Sequence, residues 1–174
     1  MGHAFITGGI GSGKTYLAMR LHERTRLSLV SLDGVFFDLS SCNHREQRSP
    51  IERNRELAKQ MVDGSRIFEG WHFGGWLIPL YRTLSVSVIV DTPLELRKNR
   101  IQTRFERRKA GMEPDPFPRG GSDHLENLLQ WTALFNADVC EAAIREFAPA
   151  DCVFMRTDGS DEGFEEIAAT MQSR

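Results

Sequence analysis

The sequence predicts an α/β fold with a five-stranded, mainly parallel sheet, and three observations support this. Short apolar runs alternate with longer amphipathic stretches along the chain, which is the pattern of successive βαβ units. The run Ser85–Val90 is almost continuously apolar, as in a parallel strand covered on both faces. Several amphipathic stretches also begin with helix-capping residues. The predicted strands are Ala4–Thr7, Leu29–Leu32, Arg66–Glu69, Ser85–Val90 and Cys152–Arg156.

The predicted helices follow from these start signals. Ser49 is a capping residue, Pro50 fits the first helical position and Glu52 would close a capping box. Thr92–Glu95 repeats the pattern before a helix that runs towards Lys109. Two further helices are predicted over Asp123–Phe147, with a break near Phe135–Asp138, and over Glu162–Gln172.

Length and composition narrow the class of protein. The 174 residues fit one domain, and 40% hydrophobic with 26% charged residues is ordinary for a globular protein. A formal net charge of −2 argues against general coating of nucleic acid. No apolar run approaches the ~20 residues that span a bilayer, and no signal peptide is recognisable. Cys42, Cys140 and Cys152 form no CxxC pair, so we expect free thiols and a cytoplasmic protein.

The strongest motif is Gly8–Thr15, which fits the phosphate-loop pattern G-x-x-x-x-G-K-[ST]. Its glycines Gly8, Gly9, Gly11 and Gly13, together with Ser12, allow the backbone N–H groups to turn inward around phosphate oxygens. Lys14 would reach the β- and γ-phosphates, and the Thr15 hydroxyl would bind Mg²⁺. The loop follows a predicted strand and precedes a predicted helix, which is the context that such a loop requires.

The segment Ala110–Ser122 has a different character, with three of the chain's seven prolines and three glycines. It cannot form a regular helix or a central strand. Because it separates two predicted helices, we expect a lid over about residues 105–124 of a single domain spanning 1–174.

With this loop, the sequence resembles the P-loop small-molecule kinases of the adenylate-kinase-like superfamily. Ile67–Gly70 resembles the family's third-strand segment, whose acid approaches magnesium, and this implies a metal-side role for Glu69. Arg100 and Arg104 resemble the pair that opens the lid, the first covering adenine and the second contacting phosphate. Asp158–Ser160 resembles the loop beside the adenine, which implies nucleotide contacts for Asp158 and Gly159. The resemblance implies the strand order 2-3-1-4-5 with helices on both faces, and ATP and Mg²⁺ as cofactors.

One segment departs from the nucleoside-monophosphate kinases within that superfamily. Phe73 stands where those enzymes have an arginine that holds the acceptor phosphate. Leu32–Phe37 instead resembles the Leu-Asp-x-Phe segment of kinases that phosphorylate hydroxyl groups and of kinase-like DNA-topology modulators. This implies that Asp33 faces the acceptor, where a carboxylate can orient a hydroxyl or accept its proton. A helix cap or turn residue is the alternative for Asp33, and a buried structural carboxylate is the alternative for Glu69.

Aromatic and basic clusters leave further alternatives open. An aromatic group either walls an acceptor pocket or packs in the core, namely Trp71, His72, Phe73 and Trp76. In the basic run from Arg97 to Lys109, we expect Arg97, Lys98 and Arg107 on a solvated helix face. Three arginines of the run are also candidates to close over the transferring phosphate, namely Arg104, Arg107 and Arg108. One of four others is expected to contact an anionic acceptor, namely Arg45, Arg48, Arg53 and Arg55.

Taken together, the residues favour an ATP- and Mg²⁺-dependent kinase with Lys14, Asp33 and Arg104 in catalysis. The first choice of acceptor is a nucleoside or nucleotide, because of the aromatic cluster. The alternative is a P-loop ATPase, or a nucleotide-sensing regulatory or nucleic-acid-associated protein, without a small acceptor. We expect a monomer or homodimer that binds neither membranes nor nucleic acid.

Overall fold

The computed structural model of the chain describes residues 2–38, 46–113 and 121–174, with backbone only at 121–123. Cys42, Arg45 and the central part of the predicted lid (114–120) lie outside the described residues. The strands are β1 (His3–Gly8), β2 (Ser28–Ser31), β3 (Phe37–Asp38), β4 (Glu46–Gln47), β5 (Arg66–Glu69), β6 (Leu84–Val90) and β7 (Val153–Thr157). The helices are α1 (Lys14–Thr25), α2 (Leu32–Phe36), α3 (Pro50–Gln60), α4 (Ile78–Tyr81), α5 (Leu94–Lys109), α6 (Gly121–Ala133), α7 (Ala137–Arg145) and α8 (Asp161–Gln172).

Five strands form one parallel sheet in the order β2-β5-β1-β6-β7. Counted along the five predicted strands, this is the order 2-3-1-4-5, so the predicted topology is confirmed. The predicted bounds are correct for both ends of β5 and for the end of β6, and differ by one residue at the other seven strand ends. Leu32, for example, begins α2, and the last strand begins at Val153 rather than Cys152. Since all five strands are parallel, their carboxyl ends meet at one edge of the sheet, where open α/β folds bind ligands.

Helices cover both faces of the sheet, as the apolar strands require. Along β1, the side chains of Ala4 and Ile6 join one core cluster, which also contains Leu21 of α1 and Ile167 of α8. The intervening Phe5 joins a second cluster on the opposite face, with residues of α3, α4 and α7. The alternation of β1 between two fully buried clusters produces the three-layer arrangement.

The predicted capping box before α3 is confirmed. Ser49 Oγ accepts from the backbone N–H of Glu52 at 3.3 Å, and the Glu52 carboxylate accepts from the backbone N–H of Ser49 at 3.0 Å. The same prediction for Thr92 is wrong, because Pro93 is the N-cap of α5 and no side chain caps that helix. The Thr92 hydroxyl is buried and makes tertiary hydrogen bonds instead.

The long amphipathic stretch after the lid is broken where the sequence predicted. Helix α6 ends at Ala133, and Asn136 caps α7 by accepting from the backbone N–H groups of Asp138 and Val139. The sequence did not predict the short antiparallel pair of β3 and β4, which is only two residues long in each strand. Within the described ranges, none of the helices combines the length and the apolar character needed to cross a bilayer.

Candidate active site

The segment that joins β1 to α1 has the backbone of a phosphate-binding loop. Gly11 has φ +80° and Gly13 has φ +95°, values in the left-handed region that favours glycine. Gly13 is the N-cap of α1, so the partial positive charge at the start of this helix points into the loop. The buried Ser12 side chain accepts from the backbone N–H of Lys14 at 3.4 Å.

Arg97 lies beneath this loop, and the prediction that it occupies a solvated helix face is wrong. It is only 5% exposed. A Cβ added at Gly9 would collide with its guanidinium, and one added at Gly11 would lie 2.6 Å from its main-chain oxygen. The loop therefore packs directly on α5, which explains why Gly8–Gly13 needs glycine for space as well as for conformation. Burial lowers the pKa of Arg97, and the charge of Asp91 opposes this shift.

Two threonines hold the loop from the side opposite the phosphate position. Thr92 Oγ1 donates to the main-chain oxygen of Ser12 at 2.8 Å and to that of Asp158 at 3.2 Å. Thr132 Oγ1 donates to the main-chain oxygen of Ile10 at 2.7 Å. Because these hydroxyls bind main-chain oxygens on one side of the loop, the loop's N–H groups face the opposite side, where the phosphates are expected. Sequence reasoning missed both residues; no local motif identifies a hydroxyl that contacts the loop from 80 or 122 residues away.

Lys14, Thr15 and Glu69 come together at the mouth of the loop. Lys14 Nζ donates to the main-chain oxygen of Gly9 at 3.5 Å, and Thr15 Oγ1 donates to Glu69 Oε2 at 3.0 Å. Burial lowers the pKa of Lys14, while the charges of Glu69 and Asp33 raise it and that of Arg104 lowers it. Residues from β5, α2 and α5 thus act electrostatically on one ammonium group, although they are distant in sequence.

A cavity of about 490 Å³ opens beside the loop, between α1, α5 and the turn after β7. Its wall includes Gly11 and Gly13 of the loop, both arginines of the predicted lid pair and Gly159. Arg100 donates to the main-chain oxygens of Gly11 at 3.3 Å and Ser12 at 3.0 Å, so it spans the loop and the cavity. Tyr16 and Arg20 of α1 also line the cavity, and sequence reasoning did not single out either of them.

Gly159 and Asp158, the predicted nucleotide contacts after β7, have different surroundings. Gly159 lines the cavity with φ +91°, but the Asp158 carboxylate accepts from the backbone N–H of Ser160 at 2.9 Å. That N–H is the largest cause of a lowered Asp158 pKa. Arg107 borders the cavity and pairs with Glu113 at 3.0 Å, but its side chain is 56% exposed, so it lies on a solvated helix face as predicted. Lys98 also makes a surface pair, with Glu95 at 2.9 Å.

The acceptor side contains a close pair that joins two strand ends. Asp33, in the first turn of α2, accepts from His72 Nε2 over 2.7 Å, and His72 follows β5. The His72 ring stacks on Phe36 at 4.7 Å and meets Trp76 edge-on at 6.0 Å. The four residues of the predicted aromatic cluster therefore lie in two places, and His72 and Trp76 are the two beside Asp33. Trp71 and Phe73 pack against the core cluster of Ile89 and Phe135 instead.

The arginines of the acceptor side have different partners. Arg48 donates to the main-chain oxygens of Gly34 at 2.6 Å and Val35 at 3.3 Å, and to that of Phe37, and so closes the end of α2. Arg53 lies over the faces of Phe36 and Trp76, with its Cζ 4.5 and 5.3 Å from the ring centroids. Arg55 is exposed on α3, and Arg45 lies outside the described residues.

The residues present fit a nucleotide with Mg²⁺. Magnesium prefers oxygen ligands and is typically held by one or two protein groups together with substrate phosphates and water. Thr15 and Glu69 offer a hydroxyl and a carboxylate within hydrogen-bond distance of each other beside Lys14. In the described part of the chain, there is no group of three or more His, Cys, Asp or Glu side chains suited to a metal. The donor set thus suits magnesium on a phosphate rather than a metal held by the protein alone.

At the level of sequence, the chain is distantly similar to a known kinase. No family model matches the chain. The cytidylate kinase of Ignicoccus hospitalis is 28% identical over 110 residues, a match covering 57% of this chain and 62% of that protein. The chain thus aligns with less than two thirds of that relative's length.

Two solved structures resemble the chain over nearly all of its length. Shikimate kinase from Acinetobacter baumannii has a TM-score of 0.55 at 14% identity and covers 99% of this chain and 92% of its own. A sugar kinase from a Janibacter species has a TM-score of 0.56 at 17% identity, with coverage of 99% and 95%. These likenesses extend over the sheet that carries the phosphate loop. The chain therefore has the fold of the P-loop kinases.

Proposed function

We propose that the chain is an ATP- and Mg²⁺-dependent phosphotransferase that moves the γ-phosphate to the hydroxyl of a small molecule. The observation that carries this proposal is the convergence at Lys14. The Thr15–Glu69 pair lies beside it on the metal side, and the charges of Asp33 and Arg104 act on its ammonium group. Transfer of a phosphoryl group needs such positioning and charge neutralisation more than covalent chemistry.

The proposed roles follow from position. The loop amides of Gly8–Lys14 and the Lys14 ammonium bind the phosphates, and Arg100 and Gly159 bound the nucleotide cavity. Magnesium, when bound at Thr15 and Glu69, neutralises charge on the phosphate oxygens. Arg104 lines the same cavity and compensates negative charge on the transferring group. Residues 105–124 act as the lid.

Asp33 acts on the acceptor. The acceptor's hydroxyl oxygen forms a bond to the γ-phosphorus while the bond from that phosphorus to the β–γ bridging oxygen breaks, releasing ADP. The Asp33 carboxylate orients the hydroxyl and accepts its proton. The Asp33 side chain is 48% exposed, so an acceptor can reach it from solvent.

Arg53 is the arginine that we propose for an anionic acceptor. Arg48 already donates to main-chain oxygens, whereas Arg53 lies over Phe36 and Trp76, beside the Asp33–His72 pair. A flat acceptor would find aromatic faces and a guanidinium within one small region, which favours a nucleoside or nucleotide. The names of the similar structures suggest shikimate and sugars as acceptors, so both kinds of compound are included in the transfer assay described below.

The basic run of α5 does not favour a nucleic-acid role. Arg97 is buried beneath the phosphate loop, and Arg100, Arg104 and Arg107 line the cavity. The positive charge of these side chains is thus directed at the nucleotide side rather than presented as a stripe to a duplex.

The test is transfer from γ-labelled ATP with Mg²⁺ to cytidine, CMP, shikimate, glucose and kanamycin. We expect a labelled product with at least one acceptor, lost in Asp33→Ala while ATP binding is kept. Asp63→Ala is the matched control, because Asp63 is an exposed aspartate before β5, at the opposite end of that strand from Glu69. ATP binding without a labelled product from any acceptor would contradict the proposal and favour a nucleotide-sensing regulator.

A further inference from the structure

The pair of His72 and Asp33 joins the two halves of the proposed site. Glu69, on the metal side, ends β5, and His72 follows three residues later in the same segment. The chain turns between them at Gly70, where an added Cβ would lie 2.9 Å from the Cβ of Leu32. Leu32 directly precedes Asp33. This close approach brings the segment after β5 against the start of α2 and sets His72 beside the acceptor carboxylate.

The polarity of the contact follows from the chemistry of the groups. An ionised carboxylate can only accept a hydrogen bond, so His72 Nε2 carries the proton that bridges the 2.7 Å to Asp33 Oδ1. A carboxylate has two oxygens, and this bond engages Oδ1.

The imidazole is held much more firmly than the carboxylate that it contacts. The His72 side chain is 13% exposed, against 48% for Asp33. Its ring stacks on Phe36 at an interplanar angle of 28°, and Phe37 and Trp76 meet it edge-on at 6.3 and 6.0 Å. Aromatic packing on several sides restricts rotation of the ring. A restrained donor that binds one oxygen of a half-exposed carboxylate fixes the direction of that carboxylate.

We infer that His72 is a positioning residue for the proposed transfer, holding the Asp33 carboxylate in the orientation in which it meets the acceptor hydroxyl. This inference rests on the proposed function. His72 does not contact the phosphates in this role and acts only through Asp33. The charged groups around the pair in the described residues include Arg53 on α3, which lies over Phe36 and Trp76, and Lys14, on which the charge of Asp33 acts.

Two substitutions separate the hydrogen bond from the packing. His72→Phe keeps a flat ring against Phe36 but removes the N–H donor. His72→Gln loses the ring but keeps an N–H donor on a side chain of similar reach. We expect His72→Phe to lower kcat by roughly 10- to 100-fold, as for other losses of orientation, with the KM for ATP nearly unchanged. We expect His72→Gln to recover much of that loss.

The control is His22→Gln, since His22 is exposed on α1, where its ring contacts the main-chain oxygen of Leu27 at 2.7 Å. It should leave kcat unchanged. Rates are measured with the acceptor from the panel above that gives the highest turnover. If the wild type transfers phosphate and His72→Phe turns over as fast, the positioning role is overturned although the proposed function stands. If the wild type transfers to none of the five acceptors, it is the proposed function that fails.

A spectroscopic measurement tests the pair without any substrate. In ¹⁵N-labelled protein, His72 should show the Nε2–H tautomer, identified by loss of its signals in His72→Phe. Asp33→Asn should shift the His72 Nε2 resonance and leave that of His22 in place. A His72 signal that does not respond to Asp33→Asn would overturn the inference, whatever the transfer assay gives.

Discussion

Arg97 donates a hydrogen bond of 2.7 Å to the main-chain oxygen of Thr132, and the same guanidinium lies against Gly9. Thr132 in turn donates to Ile10, so α5 and α6 together support the underside of the phosphate loop. Removal of the guanidinium would leave a buried oxygen without its donor and a gap beneath the loop. We expect Arg97→Ala to lower the free energy of unfolding by about 2–3 kcal/mol, measured by urea denaturation.

Lys98→Ala is the matched control for this prediction. Lys98 is the next residue on α5 and makes a surface pair with Glu95, which is worth about 0.5 kcal/mol or less. Equal and small losses in both variants would mean that Arg97 does not support the loop. The two side chains differ in burial rather than in charge, so the comparison isolates the buried contact.

A second prediction concerns the glycine at the turn of the phosphate loop. Gly11→Ala forces a side chain onto a residue with φ +80° and brings its Cβ to 2.6 Å from the main-chain oxygen of Arg97. The backbone must shift, so we expect ATP to bind at least about tenfold more weakly, a loss of roughly 1.4 kcal/mol. Isothermal titration with MgATP measures this change.

Gly64→Ala provides the comparison, because Gly64 has φ +69° with nothing within 4 Å of an added Cβ. It should cost about 1–2 kcal/mol of stability through backbone strain and leave ATP affinity unaltered. An equal loss of ATP affinity in the two variants would show that strain alone, and not the position in the loop, is responsible.

A third prediction concerns Arg100, which donates to the main-chain oxygens of Gly11 and Ser12 and lines the nucleotide cavity. We expect Arg100→Ala to raise the KM for ATP about tenfold while the KM for the acceptor changes little, because loss of one charged hydrogen-bonding group is worth roughly 1.5 kcal/mol. Steady-state kinetics with each substrate varied separately measures both constants. A similar effect on both would remove Arg100 from the nucleotide site.

A fourth prediction concerns the buried thiols. Burial raises the pKa of Cys140 and of Cys152 to about 11. Only the thiolate is a good nucleophile, so both should resist iodoacetamide at about pH 8 in the folded state. The unfolded thiols, with a pKa near 8.5, lose their protons first as pH rises, so these groups also lower stability above about pH 8.5. Mass spectrometry of Cys42→Ser protein should find rapid labelling only after unfolding.

Sequence patterns predicted the fold well because its determinants are local. The apolar run of β6, the capping box of α3 and the phosphate loop each lie within a few consecutive residues. Their order along the chain, with the family resemblance, was sufficient for the sheet topology. The ends of β1, β2 and β7 and the start of β6 were missed by one residue. An apolar side chain such as Leu32, for example, fits either a strand end or a helix start.

The supporting contacts of the site could not be predicted in the same way. Arg97 has the local sequence of a solvated basic helix, and only the placement of Gly9 and Thr132 around it makes it buried. Thr92 carries a good capping signal, yet its hydroxyl bonds to Ser12 across 80 residues. Such interactions depend on tertiary packing and cannot be predicted from local periodicity.

Asp33 follows β2, which lies at the edge of the five-stranded sheet beside β5. The phosphate loop instead follows β1, the central strand of that sheet. Under the proposed function, a graft that replaces residues 32–64 should therefore alter the choice of acceptor while the phosphate loop stays intact. A graft must preserve the contact with His72, because His72 lies outside residues 32–64 but hydrogen-bonds to Asp33 within them. Engineered changes of specificity should therefore be selected together with variation at His72.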